Sequence, residues 1–300
     1  MDIFKKLIPS KRLRFRLISL FKFVPDKAML KFQYRMKCGR KLNLDDPKRY
    51  TEKVQWYKLY YRDDKMPVCA DKYLVREYVK EKGYGHLLND LYGVYQKPED
   101  IDISTLPKSF VLKLSNGSNT NLFVTDKSKI TNEEIRSQFK HFKKQSGSSA
   151  GREWPYHIKD AVIIAEKLMT DDSSDNQSLD DYKFLCFGGK PEYIVLDKGR
   201  FTDHRRNIYD TNWNDMHIGS DCAPIVEEQP KPKELSEMLE IAAKLSEGFP
   251  AARIDLYLIE GKIIFGEITF FPWSGYVKYD PDAFDFELGK LFVLPERNVQ

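Results

Sequence analysis

Two acidic residues near the end of the sequence stand where they could share a metal ion. Residues 253–269 read RIDLYLIEGKIIFGEIT, in which two runs of β-branched and aromatic residues flank a glycine-centred turn. This pattern predicts a β-hairpin. With a three-residue loop over 260–262, Asp255 pairs with Glu267 on one face of the hairpin.

Like charges directly opposite each other destabilise a sheet unless something offsets them. Opposed Cβ atoms lie about 5 Å apart, close enough for two short acids to reach one cation. Mg²⁺ takes oxygen ligands at about 2.0–2.1 Å, often one or two carboxylates plus phosphate oxygens. The same register places Arg253 opposite Thr269. Two alternatives stay open: a two-residue turn would send the acids to opposite faces, and the pair could be incidental on a solvated surface.

Composition narrows the class of protein. The chain has 300 residues, 41% of them hydrophobic and 31% charged, which fits one large or two ordinary globular domains. Five histidines show no ligand spacing, and the four cysteines are far apart without a CxxC motif, at Cys38, Cys69, Cys186 and Cys222. This spacing argues against a zinc site or a disulfide framework and predicts reduced thiols in the cytoplasm.

The N-terminal segment is basic and partly apolar, reading MDIFKKLIPSKRLRFRLISLFKF. No apolar run reaches the roughly 18 residues of a membrane span, and Lys22 interrupts a stretch that lacks a signal-peptide cleavage site. We expect an intracellular protein whose basic segment makes peripheral contact with an anionic membrane at its inner face. A helix packed on the protein body is the alternative, and the chain carries no RNA-binding motif.

The pattern of residues changes near residue 106. Residues 1–105 read as a helical, basic region, including a helix over 70–83 with Asp71 as its N-cap. Helices are also predicted at 131–145 and 233–247, with a polar loop over 170–181. Strands are predicted beside them, at 109–115, 121–126, 161–168, 182–187, 192–197 and in the closing hairpin. The sequence therefore predicts an α+β protein.

Several features of the central region suit a nucleotide. SFVLKLSNGSNTNLFVTD forms a predicted hairpin with a small polar turn at 116–119, where backbone N–H groups can approach an anion. Lys113 lies three residues before this turn, where its ammonium could bind phosphate. AVIIAEKL is an apolar strand ending in Glu166, which could accept a hydrogen bond from an adenine amino group. A hairpin containing Lys183 follows. Each feature alone is also typical of ordinary hairpins and strand ends.

The order of these features resembles the ATP-grasp superfamily, and several motifs are more specific. DKYLVREYV, LPKSFVLKLSNGS, REWPY, DYKFLCFGGKPEYI, ARIDLY and FGEITFFPWSG resemble the TupA-like ATP-grasp family of polysaccharide-biosynthesis proteins. The resemblance covers about residues 26–294. It implies an ATP-grasp fold over 106–300, with a small subdomain at about 106–165 and a large one at 166–300.

The resemblance also implies roles for individual residues. The metal ligands would be Asp255, Glu267 and Thr269, the last standing where many ATP-grasp enzymes carry Asn. Arg253 and Lys113 would act on the transferred phosphate. The nucleotide-binding positions would be Lys113, Ser115, Asn116, Gly117, Ser118, Glu166, Lys167, Leu168 and Lys183. The cofactors implied are ATP and Mg²⁺, with Mn²⁺ as a substitute.

ATP-grasp enzymes generally convert a carboxylate into an acyl phosphate that an amine or similar nucleophile attacks, so we expect a ligase of capsular or other cell-surface polysaccharide biosynthesis. Arginine forks suit carboxylate recognition and aromatic rings suit sugar faces, although both residue types also serve as surface and core. The candidate substrate residues are His204, Arg205, Arg206, Trp273 and Ser274.

Two other functions fit parts of the sequence. A metal-dependent glycosyltransferase would fit the polysaccharide context, and Asp100-Ile-Asp102 is formally a D-x-D motif. A non-catalytic nucleotide-binding scaffold is favoured by Thr269. ADP release separates the ligase from the transferase, which would turn over a sugar nucleotide, and from the scaffold, which would bind Mg-ATP without hydrolysis.

Overall fold

The computed structural model describes residues 23–145, 151–157, 160–170, 179–199 and 202–299. Its helices are α1 (Asp26–Cys38), α2 (Tyr50–Tyr60), α3 (Lys65–Ala70), α4 (Val75–Glu81), α5 (Asn132–Gln145), α6 (Leu235–Ser246) and α7 (Ala283–Leu291). Its strands are β1 (Leu91–Tyr95), β2 (Phe110–Leu114), β3 (Asn121–Val124), β4 (Ile163–Glu166), β5 (Asp181–Phe187), β6 (Lys190–Lys198), β7 (Arg205–Asp210), β8 (Ala251–Ile259) and β9 (Lys262–Thr269). The basic segment before Phe23 and most of the predicted 170–181 loop lie outside the described residues.

The strands form two antiparallel sheets. A four-stranded sheet has the order β1-β4-β2-β3, and a five-stranded sheet has the order β7-β6-β5-β8-β9. Each sheet buries one face under a helix: α5 contributes Ile135 and Phe139 to the core of the smaller sheet, and α6 packs on β5, β6 and β8. The predicted α+β class and the helices and strands predicted from 109 onward are confirmed.

Two local features differ from the prediction. β1 and β7 were not predicted as strands, and β1, which precedes the predicted boundary at 105/106, pairs with β4 of the smaller sheet. The helix predicted over 70–83 begins only at Val75. Asp71 nevertheless caps the turn that precedes this helix, because its Oδ1 accepts hydrogen bonds from the N–H groups of Tyr73 (2.9 Å) and Leu74 (3.0 Å).

The N-terminal helices are fastened to α7 through a buried carboxylate. Asp285 accepts hydrogen bonds from the Thr51 N–H (3.0 Å) and hydroxyl (2.7 Å), and the same hydroxyl lies 2.8 Å from the Tyr34 hydroxyl. Burial raises the pKa of Asp285, and these two donors offset part of that cost. No helix in the described ranges has both the length and the apolar character needed to cross a bilayer.

The β8–β9 hairpin has the predicted pairing of Asp255 with Glu267, but its turn differs from the predicted one. Its turn has two residues: Ile259 pairs with Lys262, and Glu260 and Gly261 both have positive φ, 50° and 75°, as in a type I′ turn. The three-residue loop is therefore wrong. A β-bulge at Gly266 shifts the register by one residue, so Asp255 still pairs with Glu267 and the two acids share one face.

Candidate functional site

Arg253 joins the two acids of the hairpin. Its Nε and Nη2 donate to the two oxygens of Asp255 at 2.6 and 2.7 Å. Nη2 also contacts Glu267 Oε1 at 2.9 Å and Thr269 Oγ1 at 3.2 Å, and the Thr269 hydroxyl donates to Glu267 at 3.1 Å. The structure therefore brings together all four residues of the predicted R-x-D and E-x-T pattern, at neighbouring positions of β8 and β9.

Burial sets the electrostatics of this group. Desolvation raises the pKa of Asp255 to about 6, although Arg253 and Lys183 oppose the rise. Burial alone would lower the pKa of Arg253, but the charges of Asp255 and Glu267 raise it above its ordinary value. The guanidinium thus stays charged, and Asp255 is ionised near neutral pH. Glu267 is only half-buried, with 41% of its side chain exposed, which leaves this acid accessible from solvent.

Lys183 extends the cluster onto β5. Its ammonium contacts Asp181, lies 3.1 Å from Asp255 Oδ2 and 3.8 Å from Asp197 Oδ2, and is 4% exposed. Asp181 was missed in the sequence, although it lies two residues before Lys183, and alternate residues of a strand face the same side. Asp197 was missed because its place beside Lys183 depends on the pairing of β5 with β6.

The donor set suits a divalent cation that also binds phosphate. The hairpin offers two carboxylates and one hydroxyl oxygen, and Mg²⁺ is usually held by one or two carboxylates with phosphate oxygens and water. Across the described part of the chain, no three or more His, Cys, Asp or Glu side chains gather as a metal-holding group. Two carboxylates and one hydroxyl leave coordination positions that phosphate oxygens and water would fill.

The smaller sheet carries a second charged group. Glu166, at the end of β4, receives Lys113 Nζ at 2.7 Å and Arg76 Nη1 at 3.1 Å, and its side chain is 9% exposed. Arg76, on α4, also donates to the carbonyl of Asn89 at 2.9 Å. Lys113 and Glu166 were both predicted nucleotide residues, and the structure places them in direct contact. Arg76 was missed because its helix gave no sign of which strand it faces.

The turn after Lys113 is held by its own neighbours. The Ser115 hydroxyl donates to Asp71 Oδ2 (2.6 Å) and accepts from the Val162 N–H (3.1 Å). Gly117 lies so close to Thr120 that an added Cβ would come within 2.0 Å of its Oγ1. Among the remaining predicted positions, Asn116 is buried and Ser118 is exposed.

Lys72 brings a further positive charge to this turn. Its Nζ donates to the Gly117 carbonyl at 2.8 Å, and its N–H donates to the Ser115 carbonyl at 2.9 Å. Burial lowers the pKa of Lys72, and the charge of Glu267 on the other sheet opposes that shift. Lys72 therefore contacts the turn, and its ammonium interacts electrostatically with the hairpin acid Glu267. Lys72 belongs to the DKYLVREYV motif, but no role was predicted for it.

The segment after β4 is held through its backbone. The Lys167 N–H donates to the Asp90 carbonyl at 3.0 Å, and the Lys167 carbonyl accepts from Asn89 Nδ2 at 2.9 Å. The Lys167 side chain is exposed and Leu168 is half-buried. The adenine-binding role of residues 166–168 therefore stays a prediction.

The three basic residues of the predicted substrate cluster are not all together. Arg206 is buried and binds Asp197 with two nitrogens, at 2.6 and 3.2 Å, and His204 Nε2 lies 3.1 Å from the same carboxylate. Arg205 faces the other side of β7 and donates to Asp203 at 2.8 Å. Alternation along the strand therefore separates Arg205 from its neighbours.

Trp273 lies beside Arg253 of the hairpin, and the Ser274 hydroxyl bonds to Lys58. The Trp273 ring centroid is 4.7 Å from the Arg206 guanidinium carbon and 5.2 Å from that of Arg253, within cation–π range. The Ser274 hydroxyl accepts from Lys58 Nζ at 2.8 Å. Of this predicted pair, only Trp273 contacts the charged cluster.

The D-x-D motif caps turns. Asp102 Oδ1 accepts from the Ser104 N–H at 3.0 Å, and Asp100 Oδ2 accepts from the Lys97 N–H at 3.0 Å. Both acids begin or close short 3₁₀ turns. Their positions follow from local turn chemistry, and this use weakens the glycosyltransferase interpretation.

Comparison with known proteins places the chain in a family. It resembles, at the level of overall fold, D-alanine–D-alanine ligase from Bacillus anthracis complexed with ATP, with 15% identity, 80% of this chain and 65% of that chain covered, and a TM-score of 0.43. D-alanine–D-alanine ligase from Helicobacter pylori is 13% identical, with 83% of this chain and 68% of that chain covered and a TM-score of 0.44. L-amino acid ligase from Bacillus licheniformis is 17% identical, with 69% of this chain and 42% of that chain covered and a TM-score of 0.40.

This chain thus spans less than two thirds of the length of the Bacillus anthracis and Bacillus licheniformis proteins. No curated protein matches its sequence. The family model described as TupA-like ATPgrasp matches residues 52–293, which cover most of helix α2, both sheets and α7. The chain therefore has an α+β ATP-grasp fold with helices at its N-terminus, and it belongs to the TupA-like ATP-grasp family.

Proposed function

We propose that this protein is an ATP-dependent ligase that joins a carboxylate to an amine or similar nucleophile through an acyl phosphate. The observation that carries the proposal is the convergence of Asp255, Glu267 and Thr269 around Arg253 on one face of the β8–β9 hairpin. An ATP-grasp fold brings ATP to such a site. In this reaction the substrate carboxylate attacks ATP directly, so no side-chain nucleophile is required.

The hairpin would hold the reacting phosphate. Asp255 and Glu267 would bind Mg²⁺, which supplies positive charge against the phosphate oxygens. In the first step a substrate carboxylate oxygen attacks the γ-phosphorus and ADP leaves. The amine then attacks the acyl carbonyl, inorganic phosphate leaves, and the amine gives up a proton. Arg253, which stays charged, would stabilise the negative charge of the acyl phosphate.

The smaller sheet would hold the rest of the nucleotide. Lys113 would bind phosphate oxygens together with Lys183 of β5 on the larger sheet, and the small polar turn over 115–118 would lie beside them. Residues 166–168 would contact the adenine through groups other than the Lys167 N–H and carbonyl, which bond to Asp90 and Asn89. Glu166 engages Lys113, so a triphosphate would have to compete with that ion pair for its ammonium.

The acceptor substrate would bind on the Trp273 side of the charged cluster. Trp273 and His204 lie beside the charged cluster and would contact a uronic-acid-type sugar or an amino acid. The family resemblance supports a place in capsular or other cell-surface polysaccharide biosynthesis. We propose that the protein works in the cytoplasm, with its basic N-terminal segment contacting the inner face of the membrane.

The test is ADP release from ATP in a screen of uronic acids crossed with amino acids and small amino alcohols. Asp255→Asn should abolish release with an active pair, since it removes a metal-binding charge without changing side-chain volume. Glu260→Gln is the matched control: it removes the same charge from the exposed turn of the same hairpin and should leave release unchanged. Circular dichroism checks that both variants fold.

The outcomes separate the competing functions. Unchanged turnover in Asp255→Asn would refute the assignment of the metal site. Binding of Mg-ATP without ADP release for any pair would favour a scaffold, and turnover of a sugar nucleotide would favour a glycosyltransferase. A metal-dependent gain in ADP affinity, measured by calorimetry and lost in Asp255→Asn, tests the site without requiring the substrate to be known.

A further inference from the structure

Lys58, on the N-terminal helix α2, is a lysine with a fully enclosed side chain (0% exposed). A buried ammonium is costly unless its donors are satisfied. Lys58 Nζ donates to the Ser274 carbonyl (2.9 Å), the Ser274 hydroxyl (2.8 Å) and the Gly151 carbonyl (3.0 Å). Glu153 Oε1 lies 3.6 Å away. These hydrogen bonds hold the backbone of Ser274 and Gly151 against the Lys58 ammonium.

Lys58 contacts the turn that carries Trp273. Ser274 follows Trp273, whose ring lies against Arg253 and Arg206. The Lys58 ammonium therefore lies one residue from a ring that contacts the charged cluster.

The backbone that Lys58 holds is strained. Trp273 and Ser274 have φ of 48° and 57°, a left-handed conformation that is strained where a non-glycine residue adopts it. Gln55, one turn before Lys58, donates to the Ser274 and Gly275 carbonyls at 2.9 and 3.0 Å. Side chains of α2 therefore supply the bonds that hold the 273–275 turn in this conformation.

We propose that Lys58 is a positioning residue of the active site, which fixes the Trp273 turn against Arg253 on the acceptor side. The proposal rests on the ligase function proposed above, because it assigns Lys58 to the step at which Arg253 acts. The groups proposed to bind nucleotide on the smaller sheet, Lys113 and Glu166, have no contact with Lys58. Its loss should therefore lower turnover and leave Mg-nucleotide affinity unchanged.

The test is a double-mutant cycle of Lys58→Met and Trp273→Phe. Methionine keeps the volume and removes the charge, and we expect ADP release to fall about 10- to 100-fold, as for other small misplacements near reacting groups. If Lys58 acts through Trp273, the double variant should be little worse than either single variant. Additive losses, or a loss of Mg-ADP affinity equal to the loss of turnover, would overturn the proposal.

Lys53→Met is the matched control, because Lys53 lies on the same helix and donates to the Phe292 carbonyl (2.8 Å) away from this turn. Ser274→Ala removes one partner of Lys58 and should give a smaller effect in the same direction if Lys58→Met does not fold. A spectroscopic arm needs no substrate. Acrylamide quenching of Trp273, isolated by subtracting the Trp273→Phe spectra, should increase in Lys58→Met and not in Lys53→Met.

The two arms distinguish the two proposals. If the wild-type protein releases no ADP with any pair of substrates, the ligase proposal fails, and quenching still decides whether Lys58 positions Trp273. Unchanged quenching in Lys58→Met overturns the positioning role whatever the activity.

Discussion

Gly266 makes the candidate metal site possible, and replacing it with alanine tests that idea. It is the extra residue of the β9 bulge. A Cβ built on Gly266 would lie 2.9 Å from the Asp255 carbonyl oxygen and 3.1 Å from a ring carbon of Tyr257. The first neighbour is backbone and cannot rotate away, so the two strands must move apart or give up the bulge.

The expected cost follows from these contacts. Overpacking of this kind typically costs about 1–3 kcal/mol, and each kcal/mol lowers the melting temperature by about 2–4 °C in a chain approaching this size. Gly85→Ala is the matched control, because its added Cβ would meet chiefly the flexible side chain of Lys80, with Cγ at 3.1 Å. We expect Gly85→Ala to change stability by less than about 0.5 kcal/mol.

A second measurement links the bulge to function. Without the bulge, the two-residue turn would place Asp255 and Glu267 on opposite faces. Calorimetry should then show that Mg²⁺ no longer strengthens ADP binding to Gly266→Ala, while metal-free ADP binding persists. If Gly266→Ala matches Gly85→Ala in stability and keeps the effect of Mg²⁺, the bulge does not set the geometry of the site.

Three further perturbations have distinct expected outcomes. Arg206→Met leaves the buried Asp197 carboxylate without its two-pronged partner and should cost about 3 kcal/mol in urea unfolding; Arg205→Met, on the other face of β7, should cost almost nothing. Burial lowers the pKa of Lys58 from 10.5 to about 8, so between these pH values the unfolded chain holds a proton that the folded chain has lost. The contribution of Lys58 to the free energy of unfolding therefore rises with pH between about 8 and 10.5 and is constant on either side of that range, and Lys58→Met should remove that slope. Protein that includes residues 1–22 should sediment with anionic vesicles more than with neutral ones; equal partitioning would argue against membrane contact.

The β8–β9 hairpin shows which features the sequence could predict and which it could not. Alternation and turn residues predicted the strands and the pairing of Asp255 with Glu267, and the structure confirms that pairing. The reason given was wrong, since a two-residue turn and a bulge at Gly266 replace the three-residue loop. The shorter turn shifts the pairing by one residue, and the bulge shifts it back by one. The local sequence pattern does not reveal either shift.

Residues placed by packing were harder to find. Lys58 and Lys72 come from the helical region, where periodicity predicts a helix but not the loop that each side chain meets. β1 was missed because it is short and Gly93 lies at its centre, where glycine weakens a strand pattern. Arg205 and Arg206 are adjacent in sequence, and strand alternation puts them on opposite faces.

These packing contacts change how the helical N-terminal region should be viewed. Gln55 and Lys58 hold the Trp273 turn beside the large sheet, and Lys72 and Arg76 bind Gly117 and Glu166 at the small sheet. One continuous stretch of chain therefore contacts both charged groups of the candidate site. Because each contact ends on a buried or turn residue rather than on an exposed side chain, this region constrains the geometry between the two sheets and belongs to the proposed active site.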